Sequence, residues 1–218
     1  MNLTPAHNPR EQTPGEELAN SVSHGAALVA AVVATPFLII RAVNHGDPGY
    51  IAGASIFAAA MILLYAASTL YHAARPGRLK HIFRIIEHSA IFFMIAGTYS
   101  PFTLGVLRSE WGWSLFGVIW SLAAIGVLLK VVSGTARANA FTGLYLLMGW
   151  LIVVAAKPLY THLSASGLLW LVAGGISYTV GVAFFTTDSR LRYGHFIWHL
   201  FVVAGTACHY FAVLFYAT

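Results

Sequence analysis

The chain has 218 residues, of which 58% are hydrophobic and only 9% are charged. Soluble domains carry about 25% charged residues, so a water-soluble fold could not hide this much apolar surface. We therefore expect an integral membrane protein. The net charge of +5 then lies in loops and favours contact with anionic lipid headgroups. No basic stripe interleaved with aromatic residues indicates binding to nucleic acid. The single cysteine, Cys208, excludes an intramolecular disulfide and a CxxC motif.

The chain begins with a polar stretch that contains proline, glycine and acidic residues. It lacks the basic start and apolar core of a cleaved signal peptide. We expect residues 1–16 to form a flexible tail and residues 17–218 to form one transmembrane domain, whose first span serves as the insertion signal.

Seven stretches without Asp, Glu, Lys or Arg approach or exceed the roughly 20 residues that a helix needs to cross a bilayer. They cover residues 18–40, 48–74, 88–107, 111–129, 138–156, 158–187 and 193–218. Turn-forming and charged residues separate them. The predicted fold class is all-α, a bundle of seven transmembrane helices.

The distribution of Lys and Arg predicts the orientation of this bundle. With the N-terminus and the second, fourth and sixth loops on one side, that side holds nine of the twelve basic residues. The positive-inside rule then places the N-terminus in the cytoplasm and the C-terminus outside.

Ionisable residues at membrane depth usually face a bundle interior or a cavity. Here they occur in four groups near span ends: Glu17, Asn20 and His24; Ser68 and His72; Glu87 and His88; His195 and His199. The first, third and seventh spans start on the cytoplasmic side and the second ends there. All four groups are therefore predicted to meet near the cytoplasmic leaflet.

This convergence is typical of a metal site. His195 and His199 lie one helical turn apart, and His72 would complete three ligands for Zn²⁺, with water in the fourth position. Glu87 is predicted to act as the general base for that water, whose pKa zinc lowers to roughly 7. Ser68 is predicted to hydrogen-bond the water or to stabilise an oxyanion.

Other polar residues are expected to have supporting roles. Glu17, Asn20 and His24 share one helix face, and we expect them to cap the first span and hydrogen-bond to the ligands rather than bind the metal. His88 points about 100° away from Glu87 around the helix and should pack against its neighbours. His209, about 15 Å beyond His199 along the last span, should be buried and hydrogen-bonded.

Four motifs carry a resemblance to a known family: EELANSVSHG, STLYH, EHSAIFFMIAGTYSPF and GHFIWHLFVVAGTACHYF. In this order they resemble the bacterial hemolysin III family, which is related to the progestin and adiponectin receptors and to alkaline ceramidases. The resemblance implies a multi-pass protein of the bacterial inner membrane, with zinc held by His72, His195 and His199. The family usually has Asp where this chain has Glu87, whose longer side chain could reach the metal itself and make the site structural.

The resemblance and the residue pattern together favour a zinc-dependent hydrolase acting on an amide or ester bond of a lipid-like or fatty-acyl substrate. Three alternatives stay open. The protein could be a non-enzymatic membrane lipid, energy-homeostasis or receptor-like protein with structural zinc. It could also be a pore-forming, haemolytic channel. A haem held between His72 and one histidine of the last span is the third alternative.

Overall fold

The structure is a computed structural model that describes residues 10–134 and 138–217. Residues 1–9 of the expected tail, residues 135–137 and residue 218 lie outside the described residues. Within them the regular structure is entirely helical. The α-helices are α1 (Pro14–His45), α2 (Pro48–Ala73), α3 (Arg78–Leu104), α4 (Trp113–Ser133), α5 (Ala138–Trp150), α6 (Ala156–His162), α7 (Ala165–Thr187) and α8 (Gly194–Tyr216). A π-helical turn, Arg108–Gly112, precedes α4, and a 3₁₀ segment, Leu151–Ala155, joins α5 to α6.

Seven membrane crossings are confirmed among the described residues, because α5, the 3₁₀ segment and α6 together form one crossing of residues 140–162. The expected start of the sixth span at Pro158 is wrong. Pro158 belongs to the fifth crossing, and α7 begins only at Ala165. Lys157 separates two charge-free stretches of the sequence, which predicted a loop at this position. It lies instead near the end of a crossing, where a long basic side chain can reach the interface.

The 3₁₀ segment of the fifth crossing has a partner that compensates for its irregular backbone. The Tyr99 hydroxyl from α3 donates to the carbonyl oxygens of Met148 and Gly149 and accepts from the amide of Ile152. Backbone groups that the break leaves unpaired inside the bundle are thereby satisfied.

The third crossing also begins earlier than the charge-free stretch indicated. Helix α3 starts at Arg78, ten residues before His88. Its first turns carry basic residues that lie beyond the apolar core, and one of them, Lys80, pairs with Glu17 of α1 at 2.8 Å. The absence of charges marks the lipid-embedded part of a helix and not its full length.

The helices form a ring in which α1 packs on α2 and α8, α3 packs on α2 and α4, and α7 packs on α8. Large apolar side chains such as Leu18, Phe37 and Leu169 are exposed on the outer surface, as expected for a surface in contact with lipid. Three glycines of α7, seven residues apart, face α8: Gly167, Gly174 and Gly181. Small residues at this seam let the two helix backbones approach closely.

Candidate metal centre

Four side chains that could hold a metal ion meet where α2 ends, where α8 begins and in the first half of α3. They are His72, Glu87, His195 and His199, all buried, and each offers one ligand atom within 4.8 Å of the others. Residues separated by up to 127 positions are thus brought together by the up-down alternation of the helices. The roles predicted for them from the sequence stay predictions.

The polar atoms that face one another in this cluster have no hydrogen-bond partner among the described residues. They are the Nε2 atoms of His72, His195 and His199 and both carboxylate oxygens of Glu87. Glu87 Oε1 lies 3.5 Å from His72 Nε2. Buried polar atoms without partners are costly, and a cation bound between them would satisfy all of these groups.

His72 is oriented by a carboxylate from the first helix. Its Nδ1 atom donates to Glu17 Oε2 at 2.7 Å, and the other Glu17 oxygen accepts from Lys80 Nζ. This hydrogen bond fixes the proton on Nδ1 and leaves Nε2 as a lone-pair donor to a metal.

His195 is oriented in the same way by a residue that the sequence reasoning missed. Its Nδ1 atom donates to Asp188 Oδ2 at 2.9 Å, and Asp188 lies in the connection between α7 and α8. A signal was available, because metal-ligating histidines commonly donate their second N–H to a carboxylate. Asp188 is the acidic residue nearest to His195 in the sequence.

His199 receives its support from the backbone and hydroxyl groups of α1. Its Nδ1 atom lies 3.3 Å from the Asn20 carbonyl oxygen and 3.1 Å from Ser23 Oγ. Asn20 therefore contacts His199 through its main chain, and its side-chain amide lies 3.5 Å from His72 Nδ1. All three imidazoles thus have Nδ1 held outward and Nε2 directed inward.

Ser68 and His24 form a pair beside this cluster. The Ser68 hydroxyl lies 2.7 Å from His24 Nδ1, and the His24 ring stacks on His199 at 3.5 Å between centroids. The hydroxyl is therefore engaged with His24. Its predicted role at a water molecule or an oxyanion stays a prediction.

The N-terminal cap of α1 fixes the start of α8, but it does not involve Glu17. Thr13 and Glu16 form a capping box. The Glu16 carboxylate also accepts two hydrogen bonds from Arg10 and one from the Tyr193 amide. Tyr193 precedes α8 with a φ of 58°, a left-handed conformation that is rare outside glycine. Hydrogen bonding to Glu16 raises the pKa of the Arg10 guanidinium.

An apolar cavity of about 410 Å³ extends from Glu87 and His24 into the bundle. Side chains of α3, the fifth crossing, α7 and α8 line it, and His209 lies in its wall. Its volume falls in the range of about 300–1,000 Å³ that is typical of small-molecule sites.

Three imidazole nitrogens and a carboxylate match the donors that zinc prefers in proteins. Calcium and magnesium are disfavoured, because they prefer oxygen ligands and this set is mostly nitrogen. The residues present therefore fit a zinc ion.

Comparisons with known proteins identify the family of the chain. A profile of the family described as "Haemolysin-III related" matches residues 13–210. The chain is 43% identical to Hemolysin-3 of Bacillus cereus, covering 92% of this chain and 91% of the relative. It is 43% identical to the Hemolysin-3 homolog of Bacillus subtilis (strain 168), covering 92% and 94%. It is 28% identical to the Monocyte to macrophage differentiation factor of Homo sapiens, covering 96% and 87%. No solved structure matches the chain.

Proposed function

The chain belongs to the haemolysin III family of multi-pass bacterial membrane proteins, and we propose that it is a zinc-dependent hydrolase of a lipid-like amide or ester. One observation carries this proposal. Three inward-facing imidazole nitrogens and a buried carboxylate, all without partners among the described residues, lie within 4.8 Å of one another beside an apolar cavity.

His72, His195 and His199 would hold the zinc ion, and their Nδ1 partners keep each ring in the required tautomer. When bound, zinc supplies a Lewis acid for a carbonyl group and lowers the pKa of a water molecule towards about 7. Three protein ligands with one open position are typical of catalytic zinc sites.

Glu87 is the group that we propose moves the proton. Its side chain is 1% exposed, and no described residue donates a hydrogen bond to either oxygen. Such a carboxylate can accept a proton from an attacking water at one oxygen and deliver it to the leaving amine or alcohol. His88 Nε2 lies 3.9 Å from Glu87 Oε2 and adds a polar neighbour on the far side.

The substrate class follows from the cavity that adjoins Glu87. Apolar side chains dominate its wall, and the protein sits in a lipid bilayer, from which an acyl chain can enter without crossing water. We propose that the acyl chain lies in the cavity with its carbonyl group at the metal centre. The excess of basic residues on one side of the bundle supports a cytoplasmic N-terminus and a centre near the cytoplasmic leaflet.

The test combines metal analysis with turnover. We expect the purified protein to contain about one zinc per chain and to hydrolyse members of a panel of N-acyl and O-acyl lipids. Glu87→Gln should keep the zinc and lose turnover, His72→Ala should lose both, and the exposed His81→Gln should lose neither. Bound zinc without turnover of any lipid in the panel contradicts a hydrolase.

A second candidate is a receptor-like or lipid-homeostasis protein whose zinc is structural. Glu87 favours it, because one of its carboxylate oxygens lies within the same 4.8 Å cluster and could be the fourth ligand. In that case a chelator should lower the unfolding temperature and no substrate should be turned over. Loss of zinc from Glu87→Gln would support this candidate, and retained zinc with lost turnover would exclude it.

A further inference from the structure

His209 is a polar residue in the cavity wall far from the metal centre. It follows His199 by ten residues, or about 15 Å along α8. It shares a helix face with Trp198 and Val202, and all three line the cavity. Of the described histidines, only His24 also lines the cavity, and it does so at the metal end. The prediction that His209 is buried and hydrogen-bonded is confirmed.

Three contacts fix the orientation of the His209 ring. Nδ1 donates to the Gly205 carbonyl oxygen at 2.8 Å. A Cβ atom at Gly174 would lie 2.3 Å from both Nδ1 and Cε1, so α7 covers this edge of the ring. Tyr178 stacks on one face, with centroids 5.4 Å apart. Nε2 is therefore the remaining polar atom, and in the neutral ring it is a hydrogen-bond acceptor.

Most hydroxyl groups in the same wall are engaged with acceptors other than His209. Five of its hydroxyl groups already donate hydrogen bonds within the protein; they belong to Thr98, Tyr99, Tyr145, Tyr178 and Thr179. The hydrogen bond that His209 makes to Gly205 uses Nδ1, so Nε2 is the ring nitrogen available to a ligand in the cavity. An acceptor in the wall of an apolar cavity favours a ligand that brings a hydrogen-bond donor of its own.

We propose that His209 recognises a hydroxyl group on the aliphatic chain of the ligand. This inference rests on the proposed function in one respect, namely that the chain lies in the cavity with its carbonyl end at the metal centre. The separation of about 15 Å corresponds to roughly twelve carbon atoms of an extended chain. The preferred ligand is therefore an acyl chain with a mid-chain hydroxyl, and a hydroxyl next to the carbonyl is too close to reach His209.

Binding measurements test this inference without requiring turnover. The purified full-length protein is titrated with stearate, 3-hydroxystearate and 12-hydroxystearate in competition with a fluorescent fatty acid. One net hydrogen bond predicts that 12-hydroxystearate binds about five-fold more tightly than stearate. The 3-hydroxy isomer should show no such gain.

Two variants assign the preference to a side chain. His209→Phe keeps an aromatic ring against Tyr178 but removes Nε2, so 12-hydroxystearate should lose its advantage over stearate. Tyr178→Phe is the matched control, because its hydroxyl is engaged with Thr206, and it should keep the preference. If His209→Phe does not fold, the series of hydroxyl positions on the wild-type protein still decides the question.

Several results would overturn the inference: equal binding of the three acids, a preference for the 3-hydroxy isomer, a preference that persists in His209→Phe, or no binding of any acid. Failure of the proposed function looks different. A hydroxyl preference without hydrolysis refutes the hydrolase and leaves the role of His209 intact. Hydrolysis without a hydroxyl preference refutes the role of His209 and leaves the hydrolase intact.

Discussion

Replacing Asp188 by Asn tests whether the carboxylate behind His195 contributes to metal binding. The substitution keeps the side-chain size but removes the negative charge of the carboxylate that accepts a hydrogen bond from His195. In that bond Nδ1 of His195 lies 2.9 Å from Oδ2 of Asp188. Loss of such a supporting carboxylate typically weakens metal binding by 10- to 100-fold. The Asp188 side chain is 28% exposed, so water screens part of its charge. We therefore expect a loss of zinc affinity at the lower end of this range, about ten-fold or about 1.4 kcal/mol of binding free energy.

The assay is a competition titration of zinc between the purified protein and a chromophoric chelator at neutral pH. Asp47→Asn is the matched control, because it makes the same chemical change in the connection between α1 and α2, where Asp47 pairs with Arg108 at 2.7 Å. It should bind zinc like the wild-type protein. Unchanged affinity in Asp188→Asn, or an equal loss in both variants, would refute the reasoning.

Three further predictions concern stability, measured by thermal unfolding of the purified protein in one detergent. Glu16→Gln removes the carboxylate that ties α1 to the start of α8 and should cost about 1–2 kcal/mol; an unchanged unfolding temperature argues against this tie. Asp47→Ala removes the N-cap of α2 and should cost about 1 kcal/mol. The hydrogen bond from the Tyr50 amide lowers the pKa of the Asp47 carboxyl group. Its contribution to stability is therefore present above the unfolded-state pKa of about 3.9 and is lost as the pH falls through the folded-state pKa. A loss of stability on raising the pH from neutral would contradict this prediction. Gly174→Ala places a Cβ against the His209 ring and should cost about 1–3 kcal/mol, whereas Gly175→Ala, with open space around its Cβ, should not.

The number of crossings and the meeting of the histidines could be predicted from the sequence because both depend on coarse physical rules. A bilayer demands long apolar helices, and strict alternation then determines which helix ends share a leaflet. That is sufficient to bring His72 and Glu87 near His195 and His199. The helix ends were harder to predict, because Arg78 and Lys157 lie on helices that extend past the apolar core.

The supporting contacts depend on short-range geometry that no spacing rule encodes. Asp188 reaches His195 only because the α7–α8 connection folds back on the start of α8. Asn20 reaches His199 with its main-chain carbonyl, in addition to the contact of its side-chain amide with His72 Nδ1 at 3.5 Å. Glu16, and not Glu17, forms the capping box with Thr13, and the spacing T-x-x-E is the sequence pattern of such a box.

The central claim is that three histidines hold zinc while Glu87 acts on a water molecule, and X-ray absorption at the zinc edge tests it most directly. The wild-type protein should show three imidazole nitrogens at about 2.0–2.1 Å and one oxygen. Glu87→Gln should keep the same number of nitrogen and oxygen neighbours at the same distances and bind as much zinc as the wild-type protein. Loss of the oxygen neighbour or of the zinc in this variant would show that Glu87 is itself a ligand, and a zinc-free wild-type protein would contradict the account altogether.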